Sequence, residues 1–433
     1  MSSKVIVSFF FFFYLIMPEY FAFEISSKIP LLTASRVLLL LLLIFALYSR
    51  NGNLNLKSPS KALSFYLGIM IVVNCFHLFD CFPDSVKRIA TIILEQWLLV
   101  VLIVQVLNSR KKIEIALEAM VWASGLIGFL AIIETITGVN IFYYLTTTSR
   151  EMLQSSFVRM GMLRAEGPFG HAVYLGTYCV CMLPFSLFCY ETKRKNYYLL
   201  IAILNIIGTF ASGSRGQILI LAVVLMYIFF KKKDSIKVKY IKLVLFVIPI
   251  MCLAFLCIPA LREMLFNNVK SVLSALGFSY TLTDYGANTS GWASRLWQLS
   301  GFLHLYNEKA LFFGLGSACH TRGLVEYFWD GVWRQINTFD VGYVGVAMQY
   351  GLLGLLGYLT LLGGCLRSGK LLGSKRDINN IHNTFLCFYV AYMLNLLSTV
   401  GIENMFFLVL GIHYAYIKVE TKQKRLKIET HLV

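Results

Sequence analysis

Three arginine-bearing turns and one aspartate are the places where this chain could do chemistry. The first is "RAEGPFGH", Arg164 to His171, where a guanidinium, a carboxylate and an imidazole sit beside two glycines and a proline. Such a turn can hold a phosphate on Arg164, or it can be an interfacial bend with a solvated ion pair between Arg164 and Glu166. The second is "ASGSRGQ", Ala211 to Gln217, which puts Arg215 among small residues where an apolar run begins. Close backbone approach at a helix start suits an anion, although an arginine there can instead satisfy carbonyls at the end of the preceding helix. The third begins at Arg295 and runs through "LFFGLG" to His320 and Arg322. Arg295 can grip a phosphate with both arms of its guanidinium. His320 is a candidate acid or base, with an ordinary loop histidine as the alternative. The last is Asp340, which heads the apolar run "VGYVGVAMQYGLLG". It can cap the first amides of a helix, worth ~1 kcal/mol, or take a proton from a reacting hydroxyl.

The elements that must hold these residues are membrane spans. The chain is 58% hydrophobic and 14% charged, far below the roughly 25% charged of soluble domains. Twelve apolar runs are expected to span, near 5–23, 31–48, 63–80, 89–107, 117–136, 170–190, 197–211, 215–230, 241–259, 341–366, 381–399 and 402–418. If the N-terminus is inside, every even-numbered connection is cytoplasmic and basic, among them "ETKRKN" and "KKKDSIKVKYIK". With Lys4 and the C-terminal tail, these connections hold 25 of the 39 Lys and Arg residues, as positive-inside orientation requires. The net charge of +17 is therefore an orientation signal, and a nucleic-acid partner is not expected. Both termini are then cytoplasmic, and all four candidate segments face outward.

Two outer segments are long, Gly138 to Phe169 and Ala260 to Asp340. The second carries Trp292, Trp297, Trp329 and Trp333, and so rich an aromatic content argues for a folded, partly helical cap rather than disorder. Residues 1–433 read as one integral membrane domain with this cap, 260–340, inserted before the tenth span. The ten cysteines lie mostly inside apolar runs, so a disulfide framework is not expected. Cys81 and Cys319, in or near polar loops, are the one pair left open. There is no P-loop, HExxH, CxxC pair or Gly-x-Ser-x-Gly, and no His and carboxylate spacing that suggests a metal.

In order along the chain, "IETITGVNIF", "RAEGPFGHAVYLG", "SGSRG", the Arg295 segment ending in "LFFGLG", and Gly351-Leu-Leu-Gly354 resemble the O-antigen ligase and polymerase superfamily of bacterial envelope glycan assembly. Each motif is short; their order, strongest from Ile133 to Gly354, is the specific feature. In the ligases a His followed by Asn, Ser or Gln precedes nine residues and then Gly-x-x-Gly. Here Asp340 and Val341 occupy that spacing, a departure that favours the polymerase branch.

The resemblance implies an all-α bundle of about twelve helices in a bacterial plasma membrane. The implied activity is metal-independent glycosyl transfer, without a cofactor, from a polyprenyl-diphosphate-linked oligosaccharide onto a second such unit. Arg164, Arg215 and Arg295 would bind the diphosphate; Asp340, then Glu166 and His320, are the candidate bases. A chain-length regulator is a candidate partner. A ligase acting on lipid A core or a wall acceptor is the second reading, and a lipid-linked oligosaccharide flippase the third. Transporters tend to show paired repeats and midplane charges, and neither is evident in the sequence.

Overall fold

The computed structural model describes residues 3–24, 31–148, 158–159, 162–231, 295, 297–329, 331–335, 338–368 and 376–431. Helices occupy eleven of the twelve expected segments; the ninth, 241–259, lies outside the described residues, as does 260–294 of the expected cap. Among the described residues, Phe82–Val106, Arg110–Thr137, Ala172–Lys193 and Gly342–Arg367 are long and apolar enough to cross a membrane. Ser3–Ile16, Ala34–Ser49, Lys61–Phe76, Asn196–Ala211 and Arg215–Phe230 are shorter apolar helices.

Local chemistry sets the helix ends. Thr33, Ser60 and Ser109 each accept a hydrogen bond from a first-turn amide of the helix that follows, which satisfies one of its orphan donors. His171 does the same for Ala172–Lys193, its Nδ1 accepting from the Val173 amide at 3.3 Å. Small residues then let helices meet closely, as is usual in lipid where packing drives association. A Cβ on Gly128 would stand 2.8 Å from the Leu204 carbonyl oxygen, so Arg110–Thr137 and Asn196–Ala211 touch backbone to backbone there.

The bundle is not purely α-helical. Three two-stranded antiparallel ribbons decorate it, and the largest pairs Glu326–Trp329 with Val332–Gln335. Residues 92–98 form a π-helical turn inside Phe82–Val106. Of the expected cap, the described part holds this hairpin and the short helix Gly301–Asn307. The short helix packs on the start of Gly342–Arg367 in a cluster that includes Leu305, Val344 and Met348, and Tyr327 of the hairpin packs against the same cluster.

The helix Gly342–Arg367 is broken at Gly351, where φ is 65° and ψ −166°. The freed backbone is taken up by the "LFFGLG" loop. The amides of Leu352 and Leu353 donate to the carbonyls of Leu311 and Phe312, and those of Leu315 and Gly316 donate to Met348 and Gln349. Irregular backbone at membrane depth persists only when other protein groups satisfy it, and here the loop does so. A Cβ on Gly351 would meet the Phe312 carbonyl oxygen at 2.3 Å and the Gly314 nitrogen at 2.6 Å. Gly351→Ala is therefore expected to cost at least the 1–3 kcal/mol typical of such backbone strain. The check is protein level in membranes and melting temperature in detergent; a variant that matches wild type in both would show that the break is dispensable.

Candidate functional site

The structure brings the arginine turns and Asp340 to one end of the bundle. Arg164 leaves the Met162–Leu163 strand half-buried and reaches the turn between Asn196–Ala211 and Arg215–Lys231. Its Nε donates to the Ser212 carbonyl at 2.9 Å, and an Nη donates to the Ser214 hydroxyl at 2.8 Å. Gly213, at φ +59°, lies under the Arg164 side chain. The arginine that satisfies helix-end carbonyls is thus Arg164, the role that the sequence had offered to Arg215. Arg215 follows Ser214 directly and opens the next helix at the turn that Arg164 holds. Two residues further along, the buried Gln217 anchors this helix start by donating to Asn395 and Ser398 at 3.2 and 3.0 Å.

Glu166 is buried, at 4% exposure, which overturns the picture of a solvated ion pair. Its carboxylate accepts a hydrogen bond from the Tyr143 hydroxyl. Burial raises its pKa above the ordinary carboxylate value, while that hydrogen bond and the charge of Arg164 pull the other way. The turn itself is clamped by Glu134, whose carboxylate oxygens accept the amides of Glu166 and Gly167 at 3.0 and 2.9 Å. Glu134 stands in the quoted "IETITG" and received no role from the sequence. The signal was there, because an ionisable residue inside an apolar helix is a functional candidate by default.

Asp340 is not the cap of the helix it precedes. The N-cap is Val341, which makes no side-chain cap bond. The buried Gln298 holds the approach to this helix, its Oε1 accepting from the amides of Asp340 at 3.1 Å and Val341 at 3.3 Å, while the first helical amide, that of Gly342, donates to the Leu396 carbonyl at 2.8 Å. Arg295 lies three residues before Gln298, which places the two on one face of a helical turn. The segment carrying Arg295 is thereby docked at Asp340. Among the described residues the Nε of Arg295 has no hydrogen-bond partner.

His171 ties the two halves of the site. Burial and the charge of Arg164 lower its pKa, and Asp340 opposes them, so guanidinium and carboxylate both act on one imidazole. His320 packs edge-on against Phe339, with ring centres 5.1 Å apart, and burial lowers its pKa as well. It neighbours Asp340 through Phe339. Cys81 and Cys319 are both buried free thiols. Burial pushes the Cys319 thiol up to about 12, with Cys81 among the charges acting on it.

A helical bundle with long apolar helices defines a multi-pass membrane protein, and in it the arginine turns lie near a carboxylate. Residues 200–359 match the family model described as O-antigen ligase. That match places the segment in the O-antigen ligase and polymerase superfamily and supports membrane glycan transfer in O-antigen or polysaccharide assembly; it does not separate the two branches. The matched segment contains Arg215, Arg295, His320, Asp340 and the Gly351 break, whereas Arg164 and Glu166 precede it. No curated protein matches the chain.

Proposed function

We propose that this protein polymerises lipid-linked oligosaccharide repeat units at the outer face of a bacterial plasma membrane. The acceptor hydroxyl attacks the anomeric carbon of the donor glycan and gives its proton to Asp340. The bond from that carbon to the polyprenyl diphosphate breaks, and the diphosphate leaves with the electron pair. Arg164, Arg215 and Arg295 bind the charge that builds on it, the preorganised stabilisation that usually dominates such catalysis. Glu166 and His320 stand as second candidates for the base. The donor and acceptor are both polyprenyl-diphosphate-linked units, no metal or cofactor takes part, and a chain-length regulator acts on the product.

The observation that carries this reading is the joint action of Arg164 and Asp340 on His171, with the Arg295 segment held to the Asp340 amide through Gln298. A carboxylate that shares one imidazole with a guanidinium suits proton removal next to a departing diphosphate. The basic connections favour an outward orientation for this end of the bundle.

The family description favours a ligase as the second reading. The two separate in one reconstitution with the full chain in nanodiscs and the host's lipid-linked repeat unit as sole glycan, with EDTA present. A polymerase is expected to give a ladder of longer lipid-linked products. A ligase gives none until lipid A core or another acceptor is added, and that outcome would overturn the proposal.

A further inference from the structure

Beside the arginine turns lies a second, chemically different space that the sequence did not reveal. It is a cavity of about 470 Å³, within the size range of about 300–1,000 Å³ usual for ligand sites. Its walls come from the end of Ser3–Ile16, the start of Phe82–Val106, the Pro168-Phe169 turn, Tyr174, and the stretch from Val400 to Met405. Glu19, Glu95 and Glu403 line it, with Arg88 as the lining cation.

Two ion pairs shape it. Arg88 grips Glu403 with both arms, at 2.8 and 3.0 Å, while Gln96 donates to the same carboxylate at 2.9 Å. Arg36, from the adjacent helix, pairs with Glu95. Ion pairs taken out of water are weak contributors to stability, so their clustering around a hollow calls for another reason. Glu95 and Gln96 both sit on the π-helical turn, a distortion common at functional sites. Asn404 donates to Glu19 at 3.0 Å, and Tyr14, Tyr20 and Phe169 add aromatic faces.

One lining group points to a missing ligand. Tyr14 is 5% exposed, yet its hydroxyl has no hydrogen-bond partner among the described residues. The charges of Glu95 and Glu19 act on that hydroxyl. A buried hydroxyl left unpaired costs about 1–3 kcal/mol, which a ligand bond would recover. The cavity also adjoins the proposed base. Val400 lines it and packs against the cluster that holds Phe339 and Val341, and the charge of Asp340 reaches Tyr174 on its wall.

We propose that this cavity receives the acceptor glycan as an uncharged sugar residue, presenting its hydroxyl toward Asp340. Three carboxylates, Glu19, Glu95 and Glu403, against two guanidiniums, Arg88 and Arg36, leave the cavity net negative, which disfavours a phosphate. Carboxylate, amide and tyrosine groups between aromatic faces suit sugar hydroxyls and the apolar face of a pyranose. The assignment deepens the glycan-transfer reading and rests on it; donor diphosphate and acceptor sugar then occupy separate, neighbouring halves.

Tyr14→Phe tests it, because this change deletes an unpartnered hydroxyl and leaves packing intact. The probe is the repeat-unit oligosaccharide released from the host's lipid-linked precursor by mild acid, titrated onto the full chain in nanodiscs. Its affinity is expected to fall about five- to tenfold in Tyr14→Phe, the worth of one neutral hydrogen bond, and further in Phe169→Ala. Binding of inorganic pyrophosphate should stay at the wild-type value in both. Unchanged oligosaccharide affinity in the two variants, or no oligosaccharide binding to wild type, would overturn the assignment. Binding is read without turnover, so a chain that binds the glycan in this way yet makes no ladder would sink the polymerase reading and leave the cavity assigned.

Discussion

Cells carrying Asp340→Asn are expected to display single repeat units instead of long chains. Loss of a positioned general base typically costs 10²–10⁴ in rate, and neither an amide nor a hydroxyl is a useful base near neutral pH. Asp340→Ser should therefore behave like Asp340→Asn, and Asp340→Glu should retain part of the activity. The structure makes this test sharper than the sequence could. Asn and Ser are good N-caps, so a capping role would leave both variants silent, but the N-cap position of this helix is Val341 rather than Asp340. Protein level in the membrane should accordingly match wild type in all three variants while polymer length falls. Wild-type chain lengths from Asp340→Asn would remove the base from this position and pass the question to Glu166 and His320.

Apolar run length made the helices readable, because a bilayer demands it whatever the contacts. The ends moved where charge interrupts a helix that continues. Phe82–Val106 begins before the expected 89 because "PDSVKR" is amphipathic and drops out of any hydropathy window. The last helix runs on to His431 through a charged tail. The break at Gly351 was hidden, since the residues on both sides are apolar and only the loop from Leu311 to Gly316 reveals it.

The site divides in the same way. Arg164 and Arg215 stood out because small residues flank them, and the structure places them at one turn. Glu134, Gln298 and the Arg88–Glu403 pair did not, because their partners are distant in sequence, 315 positions in the last case. Arg36 and Glu95 also received no role from the sequence, although their signal was local. Each is a single charge in an apolar stretch, and two such charges of opposite sign are a pairing hypothesis in themselves.

Arg215→Ala and Arg295→Ala are each expected to abolish polymer while the protein remains in the membrane. A preorganised donor aimed at charge that develops in the transition state is worth roughly 10²–10³ in rate. Losing a whole guanidinium, with its two-armed contact, should reach at least that range. Lysine at either position should rescue little, because a point charge does not reproduce the planar fork. Arg164 is the wrong residue for this test. Its guanidinium also holds the Ser212 carbonyl and the Ser214 hydroxyl, so a variant there would loosen the turn that carries Arg215 and confuse binding with structure. The Nε of Arg295, by contrast, has no partner among the described residues. The readout that separates diphosphate binding from folding is protection by inorganic pyrophosphate. It should raise the melting temperature of the wild-type protein in detergent and lose that effect in both alanine variants, with the unliganded melting temperatures unchanged. Pyrophosphate protection retained in both, together with full-length polymer, would take the diphosphate away from these arginines.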